Sequence, residues 1–308
     1  MDFRSLGQSG PHVSAIGLGC MGMSDQYGPA DRHESIATIH AALNAGVTLL
    51  DTADSYGVGH NEVLIREALA GRPRAKAVIS VRFGSLRDPA GDLIGQDSRP
   101  VAVKNFLSYS LRRLATDYID IYRPARLDPT VAIEDTVGAL ADMAKAGYIR
   151  HIGLCDVGAD TLRRAHAVHP ISDLQIEYSL IRGIEDDVLK TCRELGIGIT
   201  AYGVLSRGLI SGHWSAQRIT RDVRRADPRF HGADLRTNLA RVERLRALAS
   251  EIGATVAQVA IAWVLAQGTD IVTLVGARRR EQLEETLGAC DVALSGERLA
   301  EVSRAVGA

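Results

Sequence analysis

The sequence predicts an α/β protein folded as one (β/α)8 TIM barrel, and three observations support this. Short apolar runs recur along the chain, and each is followed by a longer segment of helical period. This alternation is expected of parallel strands joined by crossover helices. Eight such units follow one another without an internal linker, in a chain of 308 residues. Because an α/β barrel holds roughly 250 residues or more around one core, we expect a single domain over residues 1–308.

The segment that precedes the first unit has the pattern of a β-hairpin. Residues 3–14 read FRSLGQSGPHVS, with a Gln-Ser-Gly turn in the middle. We expect this hairpin to close the bottom of the barrel, opposite the end that carries the active site in this fold.

The predicted strands are short apolar runs that end in Asp, Gly, Tyr or a polar turn. They cover residues 15–19, 48–51, 77–81, 118–122, 149–153, 173–176, 198–201 and 271–275. Their C-terminal ends meet at one rim of a barrel, and polar residues at those ends are candidates for chemistry.

The predicted crossover helices show apolar residues at three- and four-residue spacing. In residues 33–45, Ile36, Ile39 and Leu43 form one such stripe, as in an amphipathic helix. Glycines at 46, 147, 196 and 253 follow helical segments, where a glycine commonly ends a helix. The further segments of this kind are 132–146, 158–168, 184–195 and 237–252.

Two long inserts interrupt the pattern, at residues 84–100 and 204–236, and both are rich in Arg, Asp, Gly and Pro. We expect them to be loops at the C-terminal rim. Loops of this length are usually functional.

Composition and charge exclude several classes of protein. The chain is 46% hydrophobic and 24% charged, with a net charge of -1, so no overall field attracts nucleic acid or an anionic membrane. The four cysteines show no C-x-x-C pair and no metal-ligand spacing with His, so we expect neither a disulfide framework nor a bound metal. The N-terminus has no signal-peptide pattern, which favours a cytoplasmic protein.

The segment Gly17-Leu-Gly-Cys-Met-Gly22 matches G-x-G-x-x-G, a pattern that places a dinucleotide at a helix N-terminus in Rossmann folds. Its context argues against that interpretation. The residues that follow Gly22 are not helical, and no acid stands about 20 residues further on, where a Rossmann fold binds the ribose.

The apolar run at 48–51 ends in Asp51, and Tyr56 follows five residues later. In a barrel this strand end faces the active site. The alternative is a capped turn in which backbone amides satisfy Asp51.

At these positions and along nearly the whole chain, the sequence resembles the aldo-keto reductase family. The matching segments are GLGCMGMS at 17–24, LLDTADSYG at 49–57, DYIDIY at 117–122, YIRHIGL at 148–154, LQIEYSL at 174–180, AYGVLSRGLISG at 201–212 and GARRREQLEETLGA at 276–289. The resemblance, which is to the bacterial branch, implies a (β/α)8 barrel that binds NADPH without a Rossmann fold and reduces aldehydes and ketones.

The resemblance also implies catalytic residues, and the sequence departs from the family at two of them. Tyr56 matches the tyrosine that donates a proton to the carbonyl, and Asp51 matches its supporting aspartate. The lysine position is Arg82 and the histidine position is Ala125. An arginine keeps a positive charge beside the tyrosine and could pair with Asp51 through two hydrogen bonds. Losing a donor at the histidine position costs about 10²–10³ in rate unless another group replaces it.

Two arginines flank the missing histidine, Arg123 and Arg126. Strand alternation places Arg123 on the same face as Ala125, so Arg123 is the better candidate for a replacement donor. The alternative is a solvent-exposed loop cation.

The resemblance implies an NADP(H) site along the later strand ends. Tyr202 matches the aromatic residue that stacks on the nicotinamide, and Gln175 with Asp156 matches its carboxamide ligands. A loop with Leu205, Arg207 and Gly208 would cross the pyrophosphate, with backbone amides as donors. Arginines at 278–280 open a helix over Glu281–Leu287, where an anion such as a 2′-phosphate would stabilise them. The positions matched to this part of the cofactor are Gly276, Ala277, Arg278, Gln282, Glu285 and Thr286.

These observations predict an NADPH-dependent oxidoreductase that reduces aldehyde, ketone or quinone substrates, with Tyr56 as the proton donor. Its partners would be small carbonyl compounds, with no role for nucleic acid or membrane. A second hypothesis is a regulatory or non-catalytic barrel that binds NADP(H) with impaired turnover, because Arg82 and Ala125 depart from the family.

Overall fold

The computed structural model describes residues 1–218 and 222–307, which form a closed barrel of eight parallel strands with helices around it. The barrel strands are β3 (Ile16–Gly19), β4 (Leu49–Ala53), β5 (Val78–Phe83), β8 (Ile119–Pro124), β9 (Ile149–Cys155), β10 (Asp173–Glu177), β11 (Gly198–Tyr202) and β12 (Ile271–Gly276). Strand β12 pairs with β3 and closes the barrel. All eight predicted strands are confirmed, and most extend one or two residues further at their C-terminal ends.

The helices follow the strands as the periodicity predicts. They are α1 (Arg32–Asn44), α2 (His60–Leu69), α3 (Pro100–Leu114), α4 (Ile133–Lys145), α5 (Ala159–Val168), α6 (Asp186–Leu195), α7 (Gly232–Ile252), α8 (Val256–Leu265), α9 (Arg280–Leu287) and α10 (Gly296–Val306). In α4, Ile133, Val137 and Leu140 are buried, and their spacing places them on the face towards the strands. Gly196 and Gly253 end α6 and α7 with φ of 67° and 76°, as expected of left-handed caps.

The N-terminal hairpin is confirmed as β1 (Phe3–Ser5) paired with β2 (His12–Ser14). Leu6 and Val13 from this hairpin pack with side chains of the barrel interior. Those side chains are Leu49, Ile121, Val272 and Leu274. The hairpin therefore closes one end of the barrel with apolar side chains, and the other end is left for polar ones.

The two long inserts differ from each other in structure. The first was expected to be a loop, but it contains a two-stranded hairpin of β6 (Ser85–Arg87) and β7 (Leu93–Gln96). The second consists of short 3-10 turns in its described part, and α7 begins at Gly232, five residues before the predicted start. Its residues 219–221 lie outside the described chain.

No single helix in the described part of the chain is long and apolar enough to cross a membrane. Helices α7 and α8 reach that length and composition only together, and the chain bends by 86° between them.

Candidate active site

Asp51 and Tyr56 lie where β4 ends at the open rim of the barrel. Asp51 is 3% exposed and Tyr56 is 6% exposed. Asp51 Oδ2 accepts hydrogen bonds from Ser80 Oγ at 2.8 Å and from Gln175 Nε2 at 2.7 Å. Side chains from two other strands therefore hold Asp51, rather than the backbone amides of a capped turn.

Arg82 on β5 lies directly beside Tyr56. Its Nη2 donates a hydrogen bond to the Tyr56 hydroxyl, and its Cζ lies 5.3 Å from the centre of the Tyr56 ring. The same Nη2 is 3.7 Å from Asp51 Oδ1, so the expected pairing of Arg82 and Asp51 through two hydrogen bonds is wrong. Ser80 and Gln175 donate hydrogen bonds to Asp51 Oδ2, and Arg82 donates to the Tyr56 hydroxyl instead.

The prediction that Arg123 replaces the missing histidine is wrong. Arg123 is fully buried, and its Nη2 pairs with both oxygens of the equally buried Asp173, at 3.1 and 3.0 Å. The solvent-exposed alternative is wrong for the same reason. Ala125 is 7% exposed, and its backbone amide donates to Phe83 O at the edge of β5.

Arg126, Asp156 and Tyr202 form a second polar group at the same rim. The Tyr202 hydroxyl donates to Asp156 Oδ2 at 2.8 Å, and Arg126 Nη1 lies 2.9 Å from the same oxygen. Burial, followed by the Asp156 charge, raises the pKa of Tyr202, so its hydroxyl stays protonated and acts as a donor. The Tyr202 ring centre is 6.0 Å from Arg82 Cζ, which places this group beside Tyr56.

Gln175 and Cys155 lie beneath this group. Gln175 is fully buried, and Cys155 Sγ contacts Gln175 Oε1 at 3.9 Å. Burial raises the pKa of the Cys155 thiol to about 11, so this cysteine is a neutral, weakly polar neighbour. Both ends of the Gln175 amide therefore have partners inside the barrel.

The loop after β11 borders the rim on one side. Ser206 and Arg207 have positive φ angles of 46° and 56°, while the amides of Ser206 and Gly208 donate to carbonyls of the same loop. Arg207 is 3.4 Å from Asp227 and lies in the wall of a cleft of about 430 Å³. Leu205 precedes this turn and is partly buried against the core. The amides of Ser206 and Gly208 are therefore not free donors for a pyrophosphate, as was expected of them, and the loop directs the Arg207 side chain to the cleft.

The start of α9 presents Arg278 to the loop after β3. Arg278 Nη1 donates to the carbonyls of Tyr27, Gly28 and Pro29 at 3.2–3.4 Å. Burial lowers the pKa of Arg278, and the nearby Arg224 and Arg279 lower it further. An excess of positive charge at this point is the setting in which a bound anion is stabilising.

The other residues predicted around α9 are placed differently. Gln282 Oε1 accepts the Arg278 amide at 3.0 Å, and Gly276 is exposed while Ala277 is buried. Glu285 lines a second cleft, of about 310 Å³, and pairs with His213 at 3.2 Å. Thr286 is 4% exposed and its hydroxyl donates to Leu283 O, so this hydroxyl is directed into the helix.

Sequence reasoning did not identify Ser80 or the full environment of Arg126. Ser80 lies two residues before Arg82 and faces Asp51, which strand alternation could have indicated. Nor was the stacking of Arg224 on Tyr27 and Trp214 foreseen, at 5.0 and 4.9 Å from the ring centres. In the described ranges no group of three or more His, Cys, Asp or Glu side chains could hold a metal ion.

Comparison with known proteins gives a consistent result over the whole chain. The sequence pattern of the Aldo/keto reductase family matches residues 15–306. A probable aldo-keto reductase of Glycine max is 41% identical over 304 residues, which are 98% of this chain and 88% of that protein. The protein therefore belongs to the aldo-keto reductase family.

Solved structures agree with this assignment. The glycerol dehydrogenase of Gluconobacter oxydans superposes with a TM-score of 0.90 at 28% identity, over 99% of this chain and 95% of that one. A thermostable aldo-keto reductase in complex with the inhibitor epalrestat gives 0.77 at 26%, over 99% and 100%. The protein is accordingly an oxidoreductase that acts on small carbonyl compounds.

Proposed function

We propose that the protein reduces aldehydes, ketones or quinones with NADPH, and that Tyr56 donates the proton to the carbonyl oxygen. The hydrogen bond from Arg82 Nη2 to the Tyr56 hydroxyl is the observation that carries this proposal. A phenol has a pKa of about 10 in water and needs an adjacent cation to release a proton near neutrality. Arg82 supplies that cation, and it stays charged throughout because a guanidinium does not deprotonate.

The supporting network favours the same role. Asp51 accepts hydrogen bonds from Ser80 and Gln175 and lies 3.7 Å from Arg82, so it orients the arginine without neutralising it in a tight pair. The departure from the family lysine therefore changes the shape of the cation but keeps its charge at the phenol.

The residues at the rim fit a nicotinamide dinucleotide in NADP form. Tyr202 presents a partly exposed ring, and Asp156 beside it offers a carboxylate to an amide NH₂. Gln175 is fully buried and bonded to Asp51 and Cys155, so it would reach the same amide only after giving up one of these bonds. The bound NADPH supplies the hydride. Leu205, Arg207 and Gly208 would border the pyrophosphate, and Arg278 would pair with the 2′-phosphate. Gly276, Ala277, Gln282, Glu285 and Thr286 would surround the rest of that end.

The test follows NADPH oxidation with a panel of aldehydes, ketones and quinones. Tyr56→Phe should lower kcat by about 10²–10⁴, the usual contribution of general acid catalysis. Tyr148→Phe is the matched control, because Tyr148 is 49% exposed and precedes β9 at the opposite end of the barrel. Arg82→Lys should raise kcat on a simple aldehyde, because a compact ammonium concentrates its charge at the phenol oxygen.

Wild-type turnover in Tyr56→Phe would overturn the role of Tyr56. If calorimetry shows NADPH binding and no carbonyl is reduced, the enzyme hypothesis fails and the regulatory NADP(H)-binding hypothesis replaces it.

A further inference from the structure

Arg126 is anchored at the rim by one end of its guanidinium group. It directly follows Ala125, and its side chain is 46% exposed. Its Nη1 contacts Ala125 O at 2.6 Å, Cys155 Sγ at 3.2 Å and Asp156 Oδ2 at 2.9 Å. Within residues 1–218 and 222–307, these hydrogen bonds and this ion pair all use Nη1, and the Tyr202 hydroxyl also lies close to the guanidinium. The guanidinium is therefore held in place with its other edge open.

Two other arginines in this protein bind carboxylates through the same edge of the guanidinium, formed by Nε and Nη2. Arg164 holds Glu134 through Nε and Nη2 at 2.7 and 2.8 Å. Arg280 holds Glu34 through the same two nitrogens at 3.1 and 3.0 Å. Two parallel N–H groups in a fixed plane match the two oxygens of a carboxylate. Arg126 presents the same two N–H groups, and no carboxylate of the described residues pairs with them; Asp156 pairs with Nη1 instead.

Arg126 is also next to the reacting groups. Asp156 connects it to the Tyr202 hydroxyl, and the Tyr202 ring lies 6.0 Å from Arg82 Cζ. The preceding residue, Ala125, contributes only a methyl group at the strand end beside β5. A small molecule whose carbonyl reaches Tyr56 can therefore extend a second polar group towards Arg126.

We infer that Arg126 binds a carboxylate of the substrate through Nε and Nη2, so that the preferred substrates are oxo acids. These are aldehydes or ketones that also carry a carboxylate group. Asp156 already balances one positive charge at the rim, so selectivity comes from two charge-assisted hydrogen bonds rather than from net charge. This inference rests on the proposed carbonyl reduction and names its substrate class.

The experiment compares 4-carboxybenzaldehyde with its methyl ester, which has the same carbonyl and no charge. The wild-type protein should prefer the acid in kcat/KM by about a hundredfold or more, because one charge-assisted hydrogen bond alone contributes about tenfold to a hundredfold. Arg126→Ala should abolish this preference, mainly through KM. Arg126→Lys should keep part of it, because lysine retains the charge but not the planar pair of donors. Arg164→Ala is the control, since Arg164 holds Glu134 through the same edge on the outer helices and its removal should leave the preference intact.

The outcomes separate this inference from the proposed function. If the ester is reduced and the acid is not preferred, the inference is overturned while carbonyl reduction stands. If neither compound is reduced, the panel of carbonyls decides the proposed function separately, and benzoate is titrated into the NADPH-loaded protein by calorimetry. Benzoate binding that weakens at least about tenfold in Arg126→Ala supports the carboxylate site, and equal binding in both proteins overturns it.

Discussion

Arg123 shows how a charged residue can be used inside a barrel rather than at its mouth. It is among the largest fully buried side chains in the described chain, and Asp173 is its ionic partner. Thr200 and Ser172 also donate hydrogen bonds to Asp173, at 2.5 and 3.1 Å. Arg123 Nε and Nη1 are buried without a partner in the described residues. Two nitrogens thus lose water without compensation, which reduces the net stabilisation from this pair.

We predict that Arg123→Ala lowers the free energy of unfolding by about 3–5 kcal/mol, because it leaves the Asp173 charge buried and unpaired. The double variant Arg123→Met with Asp173→Asn should recover most of this loss, since it removes both charges and keeps the volume. Urea unfolding followed by circular dichroism measures both values. An equal loss in the single and double variants would contradict this account.

Asp54 is a second residue in an unusual environment, and it lies beside the candidate active site. It is 6% exposed; Oδ2 accepts the Gly84 amide at 3.1 Å, and Oδ1 is buried without a partner in the described chain. Burial raises the pKa of Asp54 to about 7. The unfolded chain releases this proton near pH 4, well before the folded chain does. The free energy of unfolding should therefore fall as the pH rises from about 4 to about 7.

Asp54→Asn should remove this dependence. We predict that the variant is more stable than the wild type by about 2–4 kcal/mol at pH 8 and by much less at pH 4.5. Urea unfolding at the two pH values tests this, with Asp142→Asn as the control because Asp142 is 67% exposed on α4. A gain that is the same at both pH values would show that Asp54 is ionised in the folded protein throughout.

At the scale of elements, the start of α9 carries arginines that differ in their contacts. Arg278 uses Nη1 for three loop carbonyls, whereas Arg280 has both Nε and Nη2 on Glu34. Both side chains carry the same guanidinium group. Arg280 is already paired with a carboxylate, whereas the Arg278 side chain donates only to carbonyls in the described residues.

We predict that Arg278→Ala weakens NADPH binding by about tenfold to a hundredfold, the effect of one charge-assisted hydrogen bond or slightly more, and leaves NADH binding nearly unchanged. Arg280→Ala should change neither value by much. Calorimetric titration of both nucleotides measures the effect. Equal affinities of the wild-type protein for NADPH and NADH would refute the 2′-phosphate role of Arg278.

At the scale of the whole molecule, Arg4 connects the N-terminal hairpin to the last strand of the barrel and the turn before it. Its guanidinium donates to the carbonyls of Gly268 and Ile271 through Nη1 and to that of Leu265 through Nη2. It therefore ties the N-terminal hairpin to the segment between α8 and β12, next to the strand that closes the barrel.

We predict that Arg4→Ala lowers the free energy of unfolding by about 2–4 kcal/mol, because it breaks hydrogen bonds from a charged donor. The chain should still unfold in one cooperative transition, since one closed sheet contains all eight strands. Scanning calorimetry tests both statements, with Arg32→Ala as the control because Arg32 is 50% exposed. Two separate transitions would show that the barrel is not a single cooperative domain.

The sequence by itself determined the eight strands, the crossover helices, the N-terminal hairpin and the position of Asp51 and Tyr56 at a strand end. These features depend on local periodicity and on turn residues, and both are visible within a short stretch of sequence. Family resemblance then matched Arg82 and Ala125 to the family's lysine and histidine positions, and this match stays a prediction.

Only the tertiary structure decided which side chains meet. Gln175 reaches Asp51 across 124 positions of the chain, and Arg123 is held by Asp173 while Arg126 lies at the rim. Strand alternation predicts which side of a strand a residue occupies, but not the depth to which a long side chain extends or the partner it finds. Those contacts depend on the closure and register of the barrel, which bring together strands that are far apart in sequence.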